Sequence, residues 1–151
     1  MDLFQQQMNR KDEHVGHANQ QYRATSAPEF VETRFVHHPF TTVDVADVSL
    51  KTKLAGLTFD VPFFINAITG GSSLTTALNQ RLAILARETG MAMATGSMSI
   101  AMKFPESAES FKVIRQENPN GILFANLGAH YNAEAAKRAV DIIEANAIQI
   151  H

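Results

Sequence analysis

Residues 62–73, with the sequence PFFINAITGGSS, decide the fold that we predict for this chain. The first half is almost wholly apolar and opens with a proline, which can begin a strand but cannot lie in the middle of one. The second half is a glycine turn followed by two serines, which are good N-cap residues for a helix. Residues 74–88 then show helical periodicity up to Gly90, a typical residue after a helix end. A buried strand, a glycine turn and an amphipathic helix form one unit of a parallel α/β fold. The face expected to be buried consists of Leu74, Ala77, Leu78, Leu82, Leu85 and Ala86.

The same unit recurs along the rest of the chain. Four strand ends are predicted at spacings of 28, 30 and 25 residues, which is typical of successive β/α units. Further helices are predicted over residues 107–117 and after an N-cap at Asn132. Residues 54–57 (LAGL) predict the turn of a small hairpin before the first of these strands. The predicted strand ends are Ala67, Thr95, Ala125 and Ile150.

Small polar residues accompany glycine at three of these strand ends. They are Thr69 beside Gly70, Ser97 beside Gly96, and Asn126 two residues before Gly128. Because parallel strands present their carboxyl ends at one edge of the sheet, these groups are expected to form a ligand site there. Hydroxyl, amide and backbone N–H groups suit a phosphate or the edge of a heteroaromatic ring. The sequence contains neither a P-loop nor a G-x-S-x-G motif.

Composition narrows the class of protein. The chain has 151 residues, 45% of them hydrophobic, which suffices for one ordinary domain. A net charge of −2 argues against a nucleic-acid or anionic-membrane surface. The absence of cysteine excludes disulfides and thiolate metal sites, and no apolar run approaches the length of a membrane span. We therefore expect a soluble, cytoplasmic α/β protein.

The N-terminal residues 10–14 (RKDEH) allow two interpretations. One is a solvated, charged arm, which the sequence spacing alone favours. The other is a helix that places Arg10 and His14 on one face with Lys11 beside them, so that the three cations converge on a phosphate.

Residues 30–40 contain three phenylalanines and the pair His37-His38. A metal site that combines this pair with His14 and His17 is disfavoured, because neither cysteine nor a paired-carboxylate pattern accompanies them. We expect instead that Phe30, Phe35 and Phe40 pack this segment onto a neighbouring surface.

Taken together, six stretches resemble the type 2 isopentenyl-diphosphate isomerases, which are FMN-dependent TIM-barrel enzymes. They occur in the family's order and cover nearly the whole chain: RKDEH at 10–14, RFVHH at 34–38, the stretch 62–72, GSMS at 96–99, ANLG at 125–128 and QIH at 149–151. The resemblance implies an N-terminal arm and small hairpin over residues 1–61, and the first four β/α units of a TIM barrel over residues 62–151, ending in strand four.

The resemblance also implies a reaction and its cofactors. The reaction converts isopentenyl diphosphate to dimethylallyl diphosphate by moving a double bond, a step of isoprenoid biosynthesis. It requires reduced FMN, with NADPH as a reductant and Mg²⁺ to help hold the diphosphate, and the full-length enzyme is expected to be a homo-oligomer.

Individual roles follow from the resemblance alone. No catalytic residue and no metal ligand is assigned within this chain, since the family places them beyond the position of His151. Ile68 and Met98 stand where the family usually has methionine and glutamine. The cofactor-binding residues implied are Ala67, Ile68, Thr69, Ser97 and Asn126, and the substrate-binding residues are Arg10, Lys11, His14, Ser97, Met98, Ser99 and His151.

Two other functions stay open on the sequence. One is an FMN-dependent 2-hydroxy-acid oxidase, which has a similar strand after a hairpin, although the RKDEH and GSMS motifs speak against it. The other is a non-catalytic half-barrel that binds a ligand or pairs with another chain.

On this resemblance, residues 1–151 alone are expected to have negligible isomerase activity and to self-associate. The reason is that a half-barrel exposes unpaired strand edges and apolar residues meant for an interior. An isomerase assay combined with size-exclusion chromatography checks this, and full turnover by a monomer would contradict it.

Overall fold

The computed structural model describes residues 2–22 and 31–151. Over these residues it contains helices and strands that alternate after an N-terminal helix and a hairpin. Short 3₁₀ helices at Val45–Asp47 and Pro105–Ala108 accompany them. In chain order the elements are α1 (Leu3–Gln21), β1 (Thr52–Leu54), β2 (Leu57–Phe59), β3 (Phe64–Ile65), α2 (Ser73–Thr89), β4 (Ala92–Ala94), α3 (Ser99–Lys103), α4 (Glu109–Glu117), β5 (Leu123–Leu127), α5 (Ala133–Ile143) and β6 (Ala147–Ile150).

Two sheets are present in this part of the chain. The strands β3, β4, β5 and β6 form a parallel sheet in that order, and β1 pairs with β2 in an antiparallel hairpin. Ala55 and Gly56 form the hairpin turn with φ angles of 49° and 80°, the left-handed backbone that a tight two-residue turn requires. The predicted parallel α/β units and the predicted hairpin are therefore confirmed.

The parallel sheet is open, which corrects the expected fold class. Within the described residues β3 and β6 are the two edges of the sheet and do not pair with each other. A TIM barrel closes eight parallel strands into a ring. The TIM-barrel prediction, including its description of the chain as the first four units of a barrel, is therefore wrong. The fold is an α/β arrangement with one four-stranded parallel sheet and one two-stranded hairpin. The prediction failed because open and closed parallel sheets have the same spacing of β/α units.

The core lies between the parallel sheet and its helices. Its largest fully buried side chains include Met93 on β4, Leu123 on β5 and Phe111 on α4. The predicted buried face of α2 is wrong in detail, because Leu74, Ala77 and Leu85 are exposed. Small and polar side chains face inward instead, where α2 packs alongside α4: Thr75, Asn79, Ala83 and Ala86.

The predicted ends of the helices α2 and α5 are confirmed. Ser72 is the N-cap of α2 and accepts a hydrogen bond from the backbone N–H of Thr75, while Gly90 ends the helix with φ of 69°. Asn132 caps α5 by accepting from the N–H of Ala135 at 2.9 Å. These caps begin each helix after the loop that follows the carboxyl end of the preceding strand.

The segment after residue 30 does not pack as predicted. Phe35 and Phe40 are 99% and 96% exposed, so the prediction that they fix this segment to a neighbouring surface is wrong, and Phe30 lies outside the described residues. In residues 2–22 and 31–151 no group of three or more histidines and carboxylates could hold a metal ion. In the same residues no helix is long and apolar enough to span a membrane.

Replacing Gly96 by alanine is expected to destabilise the fold by about 1–3 kcal/mol. A Cβ atom at Gly96, in the loop after β4, would overlap the backbone of Thr69, in the loop after β3. Urea unfolding measures the change. The matched control is Gly16→Ala in α1, where a Cβ meets nothing within 4 Å and should stabilise the helix by about 0.5–1 kcal/mol. Equal stability of the Gly96 variant and the native chain would contradict the close approach.

Candidate functional site

The helix α1 lies against the carboxyl edge of the parallel sheet. The ring of Phe4 packs on Phe104 with centroids 5.1 Å apart, and Met8 packs against the core. The hydroxyl of Ser72, the N-cap of α2, donates a hydrogen bond to the carboxylate of Asp12. The interpretation as a solvated arm is therefore wrong for α1, which is a helix packed on the rest of the chain. The convergence of Arg10, Lys11 and His14 on a phosphate stays a prediction.

A first cavity, which we call the cationic cavity, lies between α1, α3 and the strand ends. It has a volume of about 360 Å³. Its lining contributes three fixed positive charges and three imidazoles, and among the described lining residues no carboxylate occurs. The lining residues are Gln7, Arg10, Lys11, His14, Ser97, Ser99, Ile100, Lys103, His130, Tyr131 and His151.

The positive charges of this cavity form no ion pair with the residues that the structure describes. The ion pairs of the described chain join Lys51 to Asp60, Arg87 to Glu88 and Glu117, and Lys112 to Glu109, so they lie elsewhere. Burial, and secondarily the charge of Arg10, lower the pKa of Lys11 below its ordinary value. An anion bound beside Lys11 would offset both effects, so the cavity is suited to an anionic ligand.

A second cavity, which we call the amide cavity, adjoins the first along the strand ends. It has a volume of about 600 Å³ and shares Lys11, His14, Ser97 and His151 with the cationic cavity. The amide of Asn126 on β5 donates to the side-chain oxygen of Gln149 on β6 at 3.2 Å. The remaining lining residues are Asn66, Ala67, Ile68, Gly96 and Ile150.

A short hydrogen-bonded chain marks the junction of the two cavities. His151 Nε2 lies 3.2 Å from Ser97 Oγ, and Ser97 Oγ lies 2.9 Å from Ser99 Oγ. These side chains come from the ends of β6 and β4 and from the first residue of α3. An imidazole and two hydroxyls that can donate or accept hydrogen bonds are therefore close together at this junction.

The resemblance makes twelve residue assignments, in which Ser97 occurs twice because it has two roles. Ten of the twelve assignments fall on residues that line the two cavities. The exceptions are Thr69 and Met98, whose side chains are 2% and 0% exposed and line neither cavity. The Met98 N–H donates to the Asn126 carbonyl at 2.8 Å, and the Met98 side chain lies in the hydrophobic core. The Thr69 hydroxyl is buried without a hydrogen-bond partner among the described residues.

Sequence reasoning missed part of the site. Lys103, His130 and Tyr131 line the cationic cavity, and Gln149 and Asn66 line the amide cavity. Lys103 follows Ser99 by four residues on α3, a helix that was not predicted. The helical spacing of four would have connected the two residues had α3 been recognised.

Fold and cavities together define a class: an α/β protein with two cavities at its strand ends, one lined by cationic side chains and one by amides. No family model matches the chain. It is, however, 50% identical to the isopentenyl-diphosphate delta-isomerase of Kitasatospora griseola over 143 residues, which are 94% of this chain and 39% of that protein. The protein of the same name from Streptomyces sp. (strain CL190) is 49% identical over 94% of this chain and 39% of its own length.

A third relative aligns from end to end of the chain. The isopentenyl-diphosphate delta-isomerase of Staphylococcus aureus (strain JH9) is 44% identical over 151 residues, which are 100% of this chain and 43% of that protein. The chain thus spans about two fifths of the length of the curated relatives it matches.

Replacing Asp12 by alanine is expected to loosen α1 from the sheet. A hydrogen bond to a charged group contributes about 1.5–3 kcal/mol, so amide hydrogen exchange in α1 should accelerate about tenfold or more. Glu13→Ala is the control, because it removes the same charge from an exposed neighbouring position. Equal protection of α1 in the two variants, measured by mass spectrometry, would show that the Asp12–Ser72 bond does not hold the helix.

Proposed function

We propose that this chain supplies substrate-binding and cofactor-binding groups for the FMN-dependent, type 2 isomerisation of isopentenyl diphosphate to dimethylallyl diphosphate. The observation that carries the proposal is the cationic cavity at the strand ends, which shares four lining residues with the amide cavity. The names of relatives that are 44–50% identical support the isomerase part of the proposal. FMN dependence rests on the resemblance of the strand-end motifs.

The cationic cavity suits the diphosphate group. Arg10 offers a planar fork of donors that can bind two phosphate oxygens at once, and Lys11 offers a compact charge beside it. His14 and the hydroxyls of Ser97 and Ser99 complete a set of donors around the same space. Since the described lining contains no carboxylate, none of these lining residues competes with the substrate for the cations.

The amide cavity fits the edge of a flavin ring. Asn126 and Asn66 carry amide donors and acceptors, and Ala67 and Ile68 provide apolar surface beside them. These residues would hold and orient FMN, and the buried, unpartnered hydroxyl of Thr69 lies on the same strand-end loop. When bound, reduced FMN supplies proton-transfer chemistry, with NADPH as the proposed source of its electrons.

The chain's own residues have defined tasks in this proposal. The helix α1 covers the strand ends and limits the access of water to the bound diphosphate. His151, hydrogen-bonded to Ser97, is placed to hold a proton at Nε2 near the junction of head group and ring. The described lining residues of both cavities include no carboxylate, so they do not fit Mg²⁺, and no step is assigned to that ion.

The competing functions differ in the ligand they require. A 2-hydroxy-acid oxidase binds a substrate with one carboxylate, for which three fixed charges and three imidazoles are more than is needed. A non-catalytic binding or assembly module would not require a flavin site. Calorimetry with isopentenyl diphosphate, lactate and glycolate, together with a visible spectrum after incubation with FMN, separates these possibilities.

Replacing Arg10 by alanine is expected to weaken binding of isopentenyl diphosphate by at least about tenfold, because a charge-assisted hydrogen bond contributes about 1.5–3 kcal/mol. Isothermal titration calorimetry at low ionic strength measures the affinity. Arg81→Ala is the matched control, since Arg81 is an exposed arginine of α2 and lines neither cavity. Unchanged affinity of the Arg10 variant, or tighter binding of lactate or glycolate, would refute the proposed function.

A further inference from the structure

We propose that Lys103 is a further substrate-binding residue, and that with His130 it makes the cationic cavity selective for a diphosphate over a single phosphate. The inference rests on the proposed function, because it concerns the same site. It assigns a role to Lys103 on α3 and His130 after β5, two lining residues that lie outside the motifs of the sequence analysis.

The backbone of Lys103 is held in a fixed position. Ile100 and Ala101 of α3 are buried in the core, and the carbonyl of Ala101 accepts from the Arg138 guanidinium at 3.4 Å. The next residue, Phe104, donates its N–H to the Ile100 carbonyl at 2.8 Å and packs its ring on Phe4 of α1. The helix that carries Lys103 is thus braced from the core and from α1.

The side chain of Lys103, by contrast, forms no ion pair with any residue that the structure describes. It is exposed, it lines the cationic cavity, and it belongs to no ion pair of the described chain. His130 lines the same cavity and is oriented by packing on Tyr131, with ring centroids 4.4 Å apart. An ammonium without an ion-pair partner among the described residues and an imidazole therefore line the same cavity as Arg10 and Lys11 of α1.

Charge balance points to a ligand with two anionic groups. Arg10 and Lys11, which are consecutive residues of α1, can neutralise one phosphate between them. Lys103 then faces the ligand from a different helix, and a single phosphate held by α1 leaves it unsatisfied. A second phosphate, linked to the first, supplies the missing counter-charge without the entropy loss of binding a separate ion.

The experiment titrates the full chain with inorganic diphosphate and, separately, with inorganic phosphate. Lys103→Ala is expected to weaken diphosphate binding about tenfold and to change phosphate binding less than about twofold, while Lys103→Arg retains most of the diphosphate affinity. Lys137→Ala removes the same charge from an exposed position of α5 outside the cavity and controls for the general field of the protein.

The outcomes separate the two proposals. If the native chain binds diphosphate and Lys103→Ala binds it equally well, the role of Lys103 is refuted and the proposed function stands. If Lys103→Ala weakens both anions to the same extent, or no more than Lys137→Ala does, the selectivity is refuted. If the native chain binds neither diphosphate nor isopentenyl diphosphate, the proposed function itself fails, and the inference fails with it.

Discussion

The contact between α1 and the N-terminus of α2 is the constraint on which the site depends. Asp12 accepts a hydrogen bond from the hydroxyl of Ser72, and Ser72 at the same time caps α2 by accepting from the N–H of Thr75. Ser72 therefore caps α2 and also attaches α1, which packs on the core through Phe4 and Met8. Because Asp12 follows Lys11 directly, its attachment places Arg10, Lys11 and His14 over the strand ends.

This arrangement has an electrostatic cost. Burial and the neighbouring Arg10 lower the pKa of Lys11, so the charged form is less favourable in the folded than in the unfolded chain. The unfolded state then binds more protons between the two pKa values, and stability rises with pH across that interval. Below the folded pKa the penalty is fully present, and it is offset by the core of the sheet and helices. An anion bound beside Lys11 would offset this penalty. The burial of Lys11 is therefore linked to the affinity of the cavity for an anion.

Predictions that depended on neighbouring residues succeeded. The caps Ser72 and Asn132, the end of α2 at Gly90 and the tight turn at Ala55-Gly56 each rest on chemistry within four residues, and the structure has all of them. Most strand-end positions assigned by the resemblance also line the two cavities. The failures required distant contacts: α3 was missed, and the leucine-rich face of α2 is partly exposed because alanine, threonine and asparagine allow α2 to pack beside α4.

The order of β/α units, and the polar residues at the ends of their strands, could be read from local periodicity, because both depend on residues that are close in sequence. The openness of the sheet could not, since closed and open parallel sheets share the same repeat and differ in whether the two edge strands meet. The cationic cavity likewise depends on packing over long separations. It joins Arg10 and Lys11 of α1 to Lys103 of α3, about ninety residues later, through the contact of Phe4 with Phe104.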